Sequence, residues 1–513
     1  MKVAPQTYYV LTWGCQMNEE DSEQLGLFLE QHGYVPAASA EGADIVLLNT
    51  CSVRKKPEDK VYSKLGELRL IKAERPSLII GVCGCMAQVQ AQAIARRARY
   101  VDFIVGTGHT ADVPAIVEKV LEARGSGQEH LLPLMKLGLP VRRGATVADV
   151  PLRAVERPAT LRAFVPIMYG CDRFCTFCVV PSTRGRERSR RPDDVVAEVR
   201  RLALGGTREV TLLGQTVNSY GRNLPDERIT FADLLRRVAD VPGIERIRFT
   251  SPHPCGFTDD LIDAIATIPQ VCEHVHLPLQ AADDELLQRM KRGYTVAQYR
   301  AILNKLREAV PGIAITTDIM LGFPGETEEQ FRATLDFVEE VRFDSAFMFA
   351  YSPRPGTKAT AMPDQIPYRV KVERLSKLIE VQNRVSAEIN ASLVGSVVEV
   401  LIEGKSARVE TRLTGLTRTF KTVHVDVQPG EGDLSTPRPG ETVAVRVTQG
   451  GLTGLLAVWP VWGPEAHHTV SSRENGKFRG IQPCDRRNEQ QNGSSESQPL
   501  GPPVQTCGAC VVS

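Results

Sequence analysis

Three cysteines in Gly170-Cys171-Asp172-Arg173-Phe174-Cys175-Thr176-Phe177-Cys178 form the densest chemistry-bearing group in the chain. Their C-x3-C-x2-C spacing puts three thiolates on one tight loop, directly after an expected strand. Such a set can hold three irons of a cubane cluster and leave the fourth open to a substrate or cofactor. Zinc is the competing occupant, but structural zinc wants four protein ligands and C-x2-C pairs, and no fourth Cys or His lies nearby. A second set is scattered: Cys15 in Gly14-Cys15-Gln16-Met17-Asn18, Cys51 in Asn49-Thr50-Cys51-Ser52-Val53-Arg54, and Cys85 in Gly84-Cys85-Met86-Ala87-Gln88. Each follows an expected parallel strand, and the C-terminal ends of such strands share one sheet edge, where the sulfurs can converge. The alternative is three unrelated buried or catalytic cysteines.

The elements that must position these groups are visible as periodicity. Val10–Trp13, Asp44–Asn49, Leu78–Val82 and Val101–Val105 read as buried strands, with helices over Ser22–His32 and Gln88–Ala98. That alternation predicts an open parallel α/β (Rossmann-like) sheet. After residue 120 the pattern fades into Gly, Pro and Arg, a linker signal. A second series of expected strands follows: Phe164–Met168, Glu209–Leu213, Arg246–Thr250, His274–Leu277, Ile313–Leu321 and Ser345–Phe349, with helices such as Asp193–Ala203 and Thr327–Val341 between them. This regularity predicts a partial (β/α)6 TIM-type barrel with its chemistry at the strand C-terminal ends. Val397–Ile402, Thr422–Val427 and Thr442–Val447 alternate at period two, predicting a small antiparallel β-barrel. The expected division is 1–124, a linker over 125–158, 159–388, 389–460, and a disordered polar tail over 461–513.

Composition excludes several classes. The chain has 513 residues, 42% hydrophobic and 24% charged, as expected of a globular protein with a large core. Lys+Arg 62 against Asp+Glu 61 leaves a net charge of +1, so any nucleic-acid surface must be local. Twelve cysteines are too few for a disulfide scaffold and fit a reducing, cytoplasmic setting. The N-terminus lacks a secretory pattern, acidic residues disfavour a transit peptide, and no apolar run is long enough to span a membrane. Cys510-Val511-Val512-Ser513 fits a C-a-a-X box, but such short patterns recur by accident and no polybasic run precedes it. Cys255 and Cys272 read as buried thiols, and Cys484, Cys507 and Cys510 carry no expected role.

The cluster loop resembles that of radical S-adenosylmethionine enzymes. The resemblance implies a [4Fe-4S] cluster on Cys171, Cys175 and Cys178, its open iron chelating S-adenosylmethionine, and Phe177 packed by the adenine. One electron then cleaves the cofactor to methionine and a 5′-deoxyadenosyl radical. The phrases around Cys15, Cys51 and Cys85 resemble the methylthiotransferase family. So do Thr183–Arg190, Leu212–Asn218, Thr250–Pro254, His276–Gln280 and Gly322–Thr327, and the likeness runs from Thr7 to about Val458. It implies a second, auxiliary [4Fe-4S] cluster on Cys15, Cys51 and Cys85. Cys85 is preferred to Cys83 because it falls in the Gly-Cys-x-Ala-Gln pattern. The variants Cys51-Ser52-Val53-Arg54 and Cys85-Met86-Ala87-Gln88 are most like members that add a methylthio group to C2 of N6-isopentenyladenosine at position 37 of tRNA. Sister members acting on threonylcarbamoyl-adenosine or a ribosomal-protein aspartate fit the variants less well, and a non-catalytic RNA-binding iron–sulfur sensor is the rival from another class. Gln280-Ala281-Ala282-Asp283 departs from the usual Gln-Ser-Gly-Ser.

By the same resemblance, Glu209 and Gln215 flank a strand where relatives contact the methionyl end or ribose of the cofactor. Ser251 and His253 lie past another strand end, where a lone His is most often a hydrogen-bonded loop residue. Gly322–Glu326 opens a helix and could bring amides near the cofactor adenine, although turn geometry explains its glycines equally. Arg184, Arg186, Arg188, Arg190 and Arg191 crowd behind the cluster loop, where a basic rim would neutralise RNA phosphates. The third domain resembles a TRAM domain, and its Arg412–Lys421 segment, with Arg418, Phe420 and Lys421, suits loop RNA. The implied partners are a tRNA anticodon stem-loop and an electron donor such as flavodoxin or ferredoxin, with a monomeric enzyme and no membrane.

Overall fold

The computed structural model describes residues 6–52, 55–139, 153, 157–224, 228–428 and 436–461. Apart from its first residue, the expected tail, with Cys484, Cys507 and Cys510, lies outside the described residues.

The first unit is a six-stranded parallel sheet built from β1 (Thr7–Thr12), β2 (Val35–Pro36), β3 (Ile45–Thr50), β4 (Ile79–Gly84), β5 (Phe103–Val105) and β6 (Leu134–Lys136), in the order β2-β1-β3-β4-β5-β6. Alternate residues of the central strands feed two cores. Val46, Leu48, Ile80 and Val82 pack on one face, and Ile45, Leu47, Ile79 and Cys83 on the other. Both faces are covered, which is why these strands read as continuous apolar runs. Strand β6 places Leu134–Lys136, expected in the linker, at the edge of this sheet. Helix Gln16–Gln31 starts earlier than the periodicity suggests, because Asn18 Oδ1 accepts the Cys15 N–H (3.3 Å) and fixes the first turn.

The second unit holds β7 (Arg162–Pro166), β8 (Met168–Tyr169), β9 (Arg188–Ser189), β10 (Glu209–Leu213), β11 (Arg246–Phe249), β12 (His274–His276), β13 (Ala314–Leu321) and β14 (Ser345–Ala350). Parallel sheets β11-β10-β7 and β12-β13-β14 are joined through the Ile247–Val271 bridge, giving the expected six-strand partial barrel. The short antiparallel pair β8/β9 carries the chain into and out of the cysteine loop. Helix Glu328–Val341 begins at Thr327, whose hydroxyl caps the Gln330 N–H. In the divergent Gln280–Asp283 segment, Ala281 and Ala282 are buried and Asp283 accepts the Leu286 N–H as a helix cap (2.9 Å), a task serine also performs.

Helix Tyr368–Ser392 crosses the expected boundary at 388 and leads into a closed barrel. Its strands are β15 (Val397–Lys405), β16 (Arg412–Thr417), β17 (Thr422–Val427), β18 (Thr442–Gly450) and β19 (Leu455–Trp459). All neighbours are antiparallel except β17 and β19, which run parallel. No described helix is long and apolar enough to cross a membrane.

Candidate functional site

Cys171, Cys175 and Cys178 sit where the chain leaves the first barrel strand. Gly170, at φ +77°, lets the loop press against its own return: a Cβ there would stand 2.2 Å from Arg186 O. Cys171 N–H bonds Gly185 O (3.1 Å), and the Gln215 side-chain oxygen accepts the Gly170 N–H. Gln215 therefore holds the loop itself. The Cys171 sulfur meets Thr216 Oγ1 at 3.1 Å, and Arg292 Nη1 donates to the Cys175 sulfur at 3.4 Å. Burial and the neighbouring Cys175 and Cys171 sulfurs push the Cys178 thiol up to about 12. Burial also raises Cys171, against the Thr216 hydrogen bond. Deprotonating these thiols together would set thiolate against thiolate; bound iron offsets that repulsion, so the donor set fits an iron–sulfur cluster. Among the described residues no three His, Cys, Asp or Glu side chains are gathered as a single metal ion requires. A cubane, which spreads its ligands over three irons, makes no such demand. Phe177 packs beside Ala281, Leu286, Met290, Phe323 and Tyr351. Phe174, left-handed at φ +51°, is half exposed under the Arg186 guanidinium.

The second cysteine set follows three adjacent strands. Cys51 and Cys85 directly succeed β3 and β4, whose last paired residues are Thr50 and Gly84, and Cys15 comes three residues after β1. Neighbouring strands lie roughly 4.8 Å apart, so all three residues leave the same sheet edge together. Gly84, at φ +92°, turns the chain where a Cβ would stand 2.4 Å from Asn49 Oδ1 and 2.6 Å from Thr50 O. A buried amide network fixes the edge: Asn18 Nδ2 donates to Asn49 Oδ1 and Thr50 O, and Asn49 Nδ2 donates to Asn18 O and Ser22 Oγ. Burial raises the Cys85 thiol; Arg184 opposes this and the Cys15 sulfur adds to it. Cys83, the penultimate residue of β4, instead belongs to the apolar core on one sheet face and lines a small cavity beside Asp21; burial, with the Asp21 charge, pushes its thiol up to about 12.

The sheet edge closes over the barrel. Arg184 Nη1 and Nη2 grip the Asp21 carboxylate (3.1 and 2.5 Å), Thr107 Oγ1 donates to Thr183 O (2.5 Å), and Arg354 pairs with Glu58 (2.9 Å). Arg153 and Arg157 tie Glu20 and Glu23 of the first helix to Glu198 of the barrel. The two cysteine sets thus lie to either side of one polar-clasped interface, with Cys51, Cys85, Cys171 and Cys175 buried and Cys15 exposed.

Several expected roles move. Glu209 begins its strand rather than ending it; buried, it pairs with Arg248 (3.1 Å) at the barrel end opposite the cysteine loop. Its carboxylate does not reach the cofactor position expected of it. Arg184 and Arg188 are buried, Arg188 donating to Arg184 O, so neither presents charge to RNA. Arg186 is half exposed and chelates Asp172 (2.6 and 3.1 Å). Arg418 grips Glu273 (2.7 and 2.9 Å) and Val271 O, while Lys421 pairs with Asp344 (2.7 Å). Phe420 stacks on His274, and Arg246 and Arg248 donate to Leu416 O, Thr417 O and Arg418 O. The expected RNA hairpin is therefore a latch that holds the small barrel against the strand starts. His253 is a buried loop residue: its Nδ1 accepts the Cys255 N–H, and burial with Arg292 and Arg173 lowers its pKa to about 2. In the Gly322–Glu326 turn the Glu326 carboxylate accepts the Gly322 N–H and pairs with Arg374. Arg292 and Asp21 are site residues with no local sequence signal, brought to sulfur or to Arg184 only by the fold; Thr216 was missed although it directly follows Gln215 in the Leu212–Asn218 phrase.

Comparison with known proteins follows this division. A family model described as the radical SAM superfamily matches residues 165–338, and one described as uncharacterized protein family UPF0004 matches residues 7–106. A radical S-adenosylmethionine methyltransferase, TsrM from Kitasatospora setae, shares the fold: TM-score 0.50 and 17% identity, over 69% of this chain and 74% of that one. Fold and cysteine loop together define a radical SAM protein. Two relatives named tRNA-2-methylthio-N(6)-dimethylallyladenosine synthase narrow the class. That of Carboxydothermus hydrogenoformans is 45% identical over 89% of this chain and 100% of its own, and that of Moorella thermoacetica 46% over 88% and 97%. The chain belongs to the tRNA-2-methylthio-N(6)-dimethylallyladenosine synthase family.

Proposed function

We propose that this protein adds a methylthio group to C2 of N6-isopentenyladenosine at position 37 of tRNA. The observation that carries the reading is the pairing of two three-cysteine sets across one closed interface, on the scaffold of that family. Cys171, Cys175 and Cys178 would hold one [4Fe-4S] cluster, and Cys15, Cys51 and Cys85 the other. When bound, the clusters and S-adenosylmethionine supply one-electron chemistry for an aromatic C–H that offers no usable acid, together with a site for sulfur. The chain's own part is placement and exclusion. Gln215 and Thr216 brace the first loop, and Phe177 lines an apolar wall fit to pack a flat adenine. The clasps hold the sheet edge against the barrel mouth, where cover from water would protect reactive intermediates. The working setting is the cytoplasm, with a monomer reduced by flavodoxin or ferredoxin.

The test is anaerobic reconstitution with iron, sulfide, S-adenosylmethionine, a reductant and an isopentenylated anticodon stem-loop. The expected result is 5′-deoxyadenosine together with a methylthiolated nucleoside by mass spectrometry. Cofactor cleavage without thiolation of this RNA, but with thiolation of threonylcarbamoyl-adenosine RNA or a ribosomal protein, transfers the reading to a sister enzyme. A bound cluster with no cleavage makes the protein a sensor.

A further inference from the structure

Arg184 belongs to the segment that follows the first cysteine loop, yet its side chain is spent on the other cysteine set. It crosses the interface, buried to 5% exposure, and its fork lies on Asp21 of the first helix at 3.1 and 2.5 Å. Its charge bears on the Cys85 and Cys15 sulfurs. Its backbone is held from both sides: Arg188 Nη2 donates to Arg184 O (2.9 Å), and Thr107 Oγ1 to the preceding carbonyl. Cys85 also opens the helix Cys85–Arg97, whose N-terminus carries partial positive charge. Asp21 lines a small cavity with Asn49, Cys83 and Gly84, the residue directly before Cys85, so the charge pair sits beside the start of that helix. Arg184, Asp21, Cys51 and Cys85 are all buried, so a fixed charge here is screened less than it would be in water.

We infer that Arg184 and Asp21 form an opposed charge pair that sets the reduction potential of the iron–sulfur group held by Cys15, Cys51 and Cys85. The pair links that group's electronics to the position of the first cysteine loop. The inference rests on the proposed assignment of those cysteines as cluster ligands. Adding one electron to a cluster lowers its net charge, so the nearby cation favours the reduced form and the anion the oxidised form. Both are positioning residues and touch no reacting atom.

The test uses the full chain with Cys171, Cys175 and Cys178 replaced by Ala, so that only the second cluster assembles. Dithionite supplies the electron, and the reduced cluster's EPR signal reports the midpoint. Arg184→Gln is expected to shift the oxidised-to-reduced ratio about tenfold toward oxidised at fixed potential, a fall of about 59 mV for one electron. Asp21→Asn should shift it in the opposite direction, and Arg184→Lys should lie between the parent and Arg184→Gln. A merely structural clasp does not give opposite signs; no shift, or shifts of one sign, overturns the inference. If Arg184→Gln loses its cluster, Asp21→Asn decides by its sign: a rise supports the inference and no rise overturns it. Absence of any cluster in the parent overturns the ligand assignment and the inference with it. A cluster with an unmoved midpoint overturns the inference alone.

Discussion

The two cysteine sets solve the same problem by opposite routes. Cys171, Cys175 and Cys178 lie on one loop, whose geometry is fixed by Gly170, the Gln215 side chain and the returning Gly185–Arg186 backbone. Cys15, Cys51 and Cys85 come from three strand ends, and only the parallel order β1-β3-β4 brings them together. The first site is a property of a segment, the second of a sheet. Arg292 donates to the Cys175 sulfur from within the barrel, whereas Arg184, whose charge opposes the rise of the Cys85 thiol, arrives from across a domain interface to bind Asp21.

The largest expected effects separate the two sites outright. Cys175→Ala should remove cofactor cleavage, measured as 5′-deoxyadenosine released per enzyme, to the level of the unreconstituted protein. It should also lower bound iron by about four atoms per chain. Cys51→Ala should lose the same amount of iron and all methylthiolated nucleoside while still cleaving the cofactor. If Cys51→Ala thiolates RNA, or stops cleavage as completely as Cys175→Ala, the proposed division of labour between the sites is wrong.

The same contrast explains what could be read in advance. The six barrel strands and the C-x3-C-x2-C loop were legible because hydrophobic period and ligand spacing are local signals. The converging edge was legible only through the strand pattern that implies it. Charge was not. The partner of Arg184 lies 163 residues away and that of Arg418 145 residues away, so no window of sequence shows that either cation is neutralised. A basic run followed by burial looks identical, in sequence, to a basic rim. Glu209 is a different case: the expected strand already started there, and barrel chemistry gathers at strand ends, so its place at the far end was implied.

A smaller effect tests the latch. Arg418→Ala removes the Arg418 hydrogen bonds to Glu273 and to the carbonyl of Val271 at the foot of the barrel. The expected cost is about 2–3 kcal/mol, the scale of charge-assisted hydrogen bonds partly shielded from water. In chemical denaturation it should appear as earlier release of the five-stranded barrel β15–β19, with iron content at both cysteine sites unchanged. Loss of cluster iron in this variant would show that the latch reaches the upper face and that the two ends of the barrel are not independent.

The smallest effect lies beside the first site and is a matter of sign. His253, 6% exposed, has its pKa lowered to about 2 by burial and by the charges of Arg292 and Arg173. In the unfolded chain the same imidazole takes a proton near 6.5. Between these values the unfolded state binds the extra proton, so stability rises with pH through this window and is fully present above 6.5. As pH falls below 6.5, this group alone removes up to about 1.4 kcal/mol per pH unit. Urea midpoints of the apo chain at pH 7.5 and 5.5 should therefore differ less in His253→Gln than in the parent. The difference belongs to the barrel-mouth loop that Arg292 shares with Cys175. Equal slopes in the two proteins would mean that His253 is protonated in the folded state, which the Cys255 N–H directed at Nδ1 and the two neighbouring guanidinium groups oppose.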